Sequence, residues 1–292
     1  MNVIKKVNVN NVSYDIETSS DIEVRNDDST AELNIGDENG NVIAQFKGGH
    51  IRTKEFDSQN ITLSDGTNSD FYKNCKNYGK KVAVFGGSLS VNPESETAKN
   101  MWRNLLKMDV KTYGIGGAGF SSEQGDSIQQ QVRTCGASGI TYDIFILWAS
   151  TNDYRHSRDV GVYTDYSEDD NYDESKLVTQ CGGINYAIKY LMDLNPKAEI
   201  YFFTAMRFFS SKDGYDPYST VVNQRGVNFA AYVEAQKKCC ERRGIPILDQ
   251  FNFHGCNEFN YTQYYKEDKL HLTKDGYAKI GPVQVDFLAN GY

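Results

Sequence analysis

Four short stretches of this chain carry residue types that can do chemistry. Phe85-Gly86-Gly87-Ser88-Leu89-Ser90 sets a serine directly after two glycines, with an exposed hydroxyl and a backbone N–H able to donate. Taken alone it reads as an ordinary loop serine. The phosphate-loop alternative needs GxxxxGK[ST], which is absent. Tyr113-Gly114-Ile115-Gly116-Gly117-Ala118-Gly119 lets backbone approach a ligand and point N–H groups at an anion, although a tight turn is the default reading. Asn152, in Ser150-Thr151-Asn152-Asp153, can offer an amide donor, or can simply form a turn. The histidines are His50, His156, His254 and His271, and only His271 both has a carboxylate, Asp268, three residues earlier and sits at the entrance of an expected helix. That spacing lets the carboxylate accept from Nδ1–H and hold Nε2 as a base, while a lone Asp–His pair is as readily structural.

The elements that must position these residues follow from hydrophobic patterning. Val82-Ala83-Val84-Phe85 is a continuous apolar run ending in glycines, as a buried parallel strand does. Asn92 and Pro93 are expected to open a helix, in which Ala98, Met101, Trp102, Leu105 and Leu106 follow the spacing of one buried face. Further strands are expected at Val110–Tyr113, Tyr142–Trp148, Ile200–Thr204 and Ile245–Leu248, with helices near 124–134, 176–193, 223–242 and 274–288. Strands alternating with helices imply a parallel sheet covered on both faces, with the chemistry in loops beyond the carboxyl ends of the strands.

Residues 1–75 read differently. Short alternating segments such as Val7-Asn8-Val9 and Ala31–Ile35 are separated by turn signals, and Asn39-Gly40 marks a hairpin before Val42–Phe46. This stretch carries too few large apolar residues for a core of its own, so packing on a neighbour or oligomerisation is expected. The expected organisation is a β-rich segment over 1–75 and an α/β domain over 76–292.

Composition narrows the class. The 292 residues hold 31 Lys+Arg against 39 Asp+Glu, a formal charge of −8, which argues against nucleic acid or an anionic membrane as partner. The longest apolar run, Ile144–Ala149, is far short of the ~20 residues of a membrane span, and residues 1–17 lack the apolar stretch of a secretion signal. Cysteines 75, 135, 181, 239, 240 and 256 show no CxxC spacing, so neither zinc nor a redox motif is suggested, and free thiols are expected. The acidic stretch Asp165–Glu174 lacks EF-hand glycine spacing, and a solvated loop is favoured over a calcium site.

Each signal is weak, but their order is not. From about Lys80 to Leu288 the chain resembles the SGNH (GDSL-like) hydrolases, with FGGSLS, GIGGAG, STND and DKLH standing for the four blocks in order. The resemblance implies a three-layer α/β/α sandwich with a parallel five-stranded, flavodoxin-like sheet. It implies Ser88 as nucleophile, His271 as base and Asp268 as its orienter. Ser88 N–H, Gly117 N–H and the Asn152 side chain would form the oxyanion hole, with Gly116 open as an alternative to Gly117 by register. No metal or organic cofactor is implied. Two positions depart from the family: Gly87 stands where Asp is usual and Ser150 where Gly is usual. The first puts loop rigidity in question, and the second is expected to narrow the acyl pocket.

The implied activity is serine esterase chemistry on a small acyl group, acetyl in particular, attached to a carbohydrate. Tyr166 and Tyr172 of the acidic stretch, with Tyr154, Tyr163, Tyr215 and Tyr218, are candidates for the cleft rim, since tyrosine suits sugar rings, and a core role for some of them is the alternative. The stretch from Leu33 to Ile61 also resembles β modules ahead of esterase domains in phage and prophage tail proteins of gut Bacteroides-like bacteria. That resemblance implies a virion- or tail-associated protein, trimeric through its front segment and acting on a surface glycan. The alternatives are an enzyme of the bacterial cell itself, with lipase, thioesterase and peptidase activity also permitted by the resemblance, a glycan-binding tail adhesin that keeps the fold with little catalysis, and a structural tail subunit.

Overall fold

In the computed structural model, residues 72–123, 126–168 and 172–291 are described, together with strand backbone at 6–9, 12–15, 32–36, 42–47 and 50–53. The chain divides into two units, Met1–Phe71 and Tyr72–Tyr292. The first holds β1 (Lys6–Val9), β2 (Val12–Asp15), β3 (Glu32–Gly36), β4 (Val42–Lys47) and β5 (His50–Thr53), an antiparallel sheet ordered β2-β1-β3-β4-β5. Strands β3 and β4 pair as the Asn39-Gly40 signal requires, while residues 37–41 themselves lie outside the described residues.

The second unit is built on five parallel strands: β6 (Lys81–Gly86), β7 (Asp109–Thr112), β8 (Ile144–Trp148), β9 (Glu199–Phe203) and β10 (Ile247–Leu248). Their order is β7-β6-β8-β9-β10. All five fall where the apolar runs place them, within a few residues. β8 is buried throughout and β6 everywhere past Lys81, because helices cover both faces and every side chain must be apolar. At the sheet edge, β7 alternates between exposed and half-buried residues.

Successive residues of one strand feed opposite cores. Ala83, Phe85, Phe145 and Leu147 pack under α3 (Ile128–Ala137), α5 (Gln180–Leu194) and α7 (Phe229–Glu241). Val82, Val84, Ile146 and Trp148 pack under α2 (Glu96–Leu105) and α10 (Lys274–Asn290). Short helical turns complete the unit: α1 (Ser88–Val91), α4 (Asn152–Arg155), α6 (Lys212–Tyr215), α8 (Gln250–Phe253) and α9 (Tyr261–Tyr264). Ala98, Trp102 and Leu106 are fully buried, as the helical spacing required. The start of α2 differs from expectation. Asn92 and Pro93 open a 3₁₀ turn, Pro93–Ser95, without a side-chain cap bond, and α2 begins at Glu96.

The strand order places a topological switch between β6 and β8, because the chain leaves β6 toward one edge and returns from β7 to cross the other way. In such sheets the crevice outside the carboxyl ends of the two central strands is where ligands bind. Ser88 follows β6 and Asn152 follows β8.

All six cysteines are free thiols. Among the described residues no helix is long and apolar enough to cross a membrane. The 165–174 stretch departs in part from a solvated loop. Asp165 is buried, its Oδ2 accepting from Val162 N–H and the Thr179 hydroxyl, and Lys176 lies 3.5 Å from its Oδ1. Residues 169–171 of that stretch lie outside the described residues.

Candidate active site

Three side chains from the two ends of the α/β unit meet in a line. His271 Nε2 lies 2.8 Å from Ser88 Oγ, and His271 Nδ1 lies 2.6 Å from Asp268 Oδ2. Ser88 is the first residue of α1, so its N–H is among the first-turn donors that a helix leaves without an internal partner. Asp268 and His271 share one tight loop. Asp268 Oδ1 accepts from the N–H groups of Leu270 and His271, both at 2.9 Å, while Oδ2 takes the imidazole. Lys266 N–H donates to His271 O and Lys269 N–H to Lys266 O, which closes the loop with Lys269 at φ 55. A lysine in the left-handed region is uncommon, and the surrounding bonds over-determine it.

Burial pulls the Asp268 carboxyl upward, but the hydrogen bonds from His271 N–H, the imidazole and Leu270 N–H outweigh it. The net result lies below the usual carboxylate range, so Asp268 is ionised at neutral pH. An ionised acceptor on Nδ1 selects the tautomer with its proton there, leaving Nε2 as the acceptor facing Ser88. Such a line can remove the serine proton as its oxygen attacks.

The loop after β7 brings the glycine block to the same place. Ile115 N–H donates to Gly86 O at 3.0 Å, and Ala118 N–H closes the turn on Ile115 O. Gly117, at its exposed tip, has φ +84, a conformation that favours glycine. Gly116 is also exposed, and a Cβ at either position would meet nothing within 4 Å. Asn152 Nδ2 donates to Ala118 O at 2.9 Å, which spends one of its two hydrogens on the glycine loop.

The two departures from the family pattern touch each other. A Cβ added at Gly87 would lie 2.8 Å from Ser150 Cβ, 2.8 Å from Ala118 O and 3.0 Å from Asn152 Nδ2. Ser150 therefore occupies space that a side chain at 87 would need. Its hydroxyl donates to Ala118 O at 2.7 Å and accepts from Asn152 N–H at 3.2 Å. The expected narrowing of the acyl pocket gives way to a different role: Ser150 is buried and turned toward the glycine loop. Loop rigidity without an Asp at 87 comes from Ser90, whose backbone N–H and hydroxyl both bond Gly87 O.

Sequence reasoning missed three buried polar residues that hold these loops. Gln131 clamps the peptide groups of Gly86, accepting from its N–H at 2.8 Å and donating to its carbonyl at 3.0 Å. Asp153 accepts from Phe120 and Ser121 N–H at 2.8 and 3.0 Å, tying the glycine block to the asparagine block. Lys99, 1% exposed, reaches Ser90 O and the Thr112 hydroxyl at 3.1 and 3.3 Å from behind. The available signal was a polar residue on an otherwise apolar face: Lys99 beside Ala98 and Trp102, and Gln131 between Ile128 and Cys135.

The tyrosines expected at the rim separate. Tyr154 is buried, with its hydroxyl on Asp213. Tyr215 stacks on Phe209 at 5.6 Å, Tyr163 lines a separate hollow with Arg242, and Tyr218 is 92% exposed.

A doubly covered parallel sheet with a Ser–His–Asp line at its switch point defines an α/β/α serine hydrolase. The chain belongs to the GDSL-like lipase/acylhydrolase family, whose model matches residues 84–279, and its α/β unit is a serine ester hydrolase domain. One solved structure superposes with a TM-score of 0.61 at 19% identity, covering 73% of this chain and 98% of its own. A protein from Lactobacillus plantarum gives 0.57 at 20% identity, covering 72% and 96%. A possible lipase from Chitinophaga pinensis gives 0.50 at 17% identity, covering 71% and 96%. At these identities the similarity establishes the fold. A search of curated proteins finds no match to this chain.

Proposed function

We propose that this protein removes a small acyl group, acetyl in particular, from a carbohydrate through an acyl-enzyme on Ser88. The observation that carries the reading is the 2.8 Å approach of His271 Nε2 to Ser88 Oγ, with Asp268 at 2.6 Å on the other ring nitrogen. His271 takes the serine proton as Oγ bonds the ester carbonyl carbon. Negative charge then develops on the carbonyl oxygen, where Ser88 N–H, Gly117 N–H and the second Asn152 amide hydrogen are assigned as donors. Each such donor contributes about 3 kcal/mol of transition-state stabilisation. The intermediate collapses by breaking the bond to the alcohol oxygen, which leaves with the proton that His271 returns. Water repeats the sequence on the acyl-enzyme, giving the free acid and restoring Ser88.

The test is hydrolysis of p-nitrophenyl acetate by wild type beside Ser88→Ala at equal concentration of folded protein. Turnover in the wild type and a loss of orders of magnitude in the variant is the expected result. Equal inertness would overturn the small-acyl-ester reading and favour a glycan-binding adhesin. The proposal extends to residues 1–75 as a tail-attachment and trimerisation segment, on the strength of the sequence resemblance alone. Light scattering on the full chain gives the mass of three chains if this holds and of one if it does not.

A further inference from the structure

A cleft of about 340 Å³ lies between α4 and the segment 208–224. Its walls are anchored to the site loops. Arg155, which lines it, is three residues along α4 from Asn152, a spacing that puts two side chains on one helical face with Cβ atoms ~5–6 Å apart. On the other wall, Phe209 N–H donates to Lys269 O at 2.7 Å, inside the loop that carries Asp268 and His271. Neither Ser88 nor His271 lines the cleft, so it does not contain the reacting atoms and is tied to them through α4 and the 268–271 loop.

The chemistry of the lining selects the ligand. The inner wall is already satisfied. Asn223 spends Nδ2 on Tyr154 O and the Tyr232 hydroxyl and accepts from Arg225 and Val227 N–H, and Asp213 accepts from the Tyr154 hydroxyl. These bonds make that wall rigid. The outer groups are different. Arg155 is exposed, forms no ion pair among the described residues, and has the ring face of Phe208 at 6.0 Å. Gln224, Ser210 and Ser211 are also exposed along the same cleft. The apolar lining is limited: Tyr154 and Phe208 are each under 5% exposed, and Val222, 48% exposed, is the open apolar side chain of the cleft. A long acyl chain or fatty alcohol finds one valine to bury against there, whereas a ring bearing several hydroxyls finds a fork of donors, an amide and hydroxyls around it. The volume is at the lower end of the ~300–1,000 Å³ range of small-molecule sites, which suits one sugar unit.

We infer that this cleft is the subsite for the alcohol portion of the ester, that it takes a polyhydroxylated sugar ring, and that Arg155 and Gln224 are its specificity residues. The assignment of the sugar to the leaving-group side rests on the esterase reading above; binding of the ring itself does not. Two measurements separate them. In the first, kcat/KM is compared for a mono-O-acetylated xylobiose and for p-nitrophenyl acetate, in wild type, Arg155→Ala and Gln224→Ala. The ratio of saccharide to p-nitrophenyl ester is expected to fall at least tenfold in Arg155→Ala and about threefold in Gln224→Ala, mainly through KM. An unchanged ratio in both variants overturns the subsite. In the second, xylobiose is titrated calorimetrically into Ser88→Ala with and without Arg155→Ala. Binding weakened at least fivefold by the arginine change supports the subsite even if p-nitrophenyl acetate is never turned over. Binding of equal strength, or none in either protein, overturns it.

Discussion

The contact between Gly87 and Ser150 makes a sharp test of how the donor loops are held. Gly87 has φ −90 and ψ −157, extended backbone that alanine adopts without strain, so Gly87→Ala isolates a steric effect. The new Cβ would sit 2.8 Å from Ser150 Cβ, whereas carbon atoms rest ~3.5–4.0 Å apart, so Ser150 must retreat by about 1 Å. Ser150 is bonded to both Ala118 O and Asn152 N–H, so its retreat drags the assigned oxyanion donors with it. Misplacing a catalytic group by 1 Å costs on the order of 10²-fold. We therefore expect kcat on p-nitrophenyl acetate to fall about 10²-fold in Gly87→Ala. Ser150→Gly alone loses the hydrogen bonds to Ala118 O and from Asn152 N–H, together about 1.4 kcal/mol and a factor of about ten. Independent effects would multiply to about 10³-fold in the double variant. Because removing the Ser150 side chain also removes the collision, the double variant should be no slower than Gly87→Ala. That corresponds to a coupling of about 1.4 kcal/mol, within the range for residues in contact. The remaining 2.8 Å approach to Ala118 O prevents full recovery. Melting temperatures measured on the same samples report whether folding is shared. A double variant with the full product of the single losses would refute the reasoning, because it would mean Ser150 does not occupy the space needed at position 87.

Other perturbations follow from the same geometry. Asp268→Asn should lower kcat by about 10⁴-fold with the fold intact, as loss of a triad orienter does; a loss under tenfold in steady-state kinetics would remove Asp268 from its role. The folded Asp268 carboxyl lies below its unfolded value of ~3.9, so its stabilisation is complete above that pH and is lost as pH falls through the lower folded value. In urea titrations from pH 6 to pH 2 the stability gap between wild type and Asp268→Asn should therefore close on acidification, and a constant gap would contradict this. Gln131→Leu strands the buried N–H of Gly86, costing ~1–3 kcal/mol, and takes one donor from its carbonyl, which keeps Ile115 N–H. Calorimetry should show the α/β unit melting several degrees lower, and an unchanged melting temperature would mean that the clamp is dispensable. Asp153→Ala removes the acceptor of Phe120 and Ser121 N–H and should slow p-nitrophenyl acetate hydrolysis more than tenfold without touching Ser88 or His271; full activity would exclude Asp153 as a positioning residue.

Much of this protein could be read before any coordinates. Apolar runs bounded by glycine, proline and asparagine placed the central strands of the α/β unit, because a strand covered on both faces tolerates little else, while edge strand β7 has no fully buried residue. The ordered blocks around Ser88, Gly117, Asn152 and Asp268/His271 named the candidates, because those functions sit at strand ends whatever the surrounding sequence. The start of α2 was misjudged by three residues, since Asn92 and Pro93 suit a 3₁₀ turn as well as an α-helix. What lay beyond the sequence was every relation between residues distant along the chain. Ser150 seemed a rim residue until its hydroxyl was found on Ala118, and Tyr154 seemed an exposed ring until it was found buried on Asp213. Gln131, Asp153 and Lys99 gave no motif, because a buried polar residue is recognisable only when the backbone group it satisfies is in view. The sequence by itself determined which local structures form and which residue types stand at the strand ends, since propensity, burial pattern and turn chemistry act over a few residues. Only the tertiary structure decided the 2.8 Å meeting of Ser88 and His271 across 183 residues, and the exchange of space between Gly87 and Ser150, because packing at that range depends on the whole core at once.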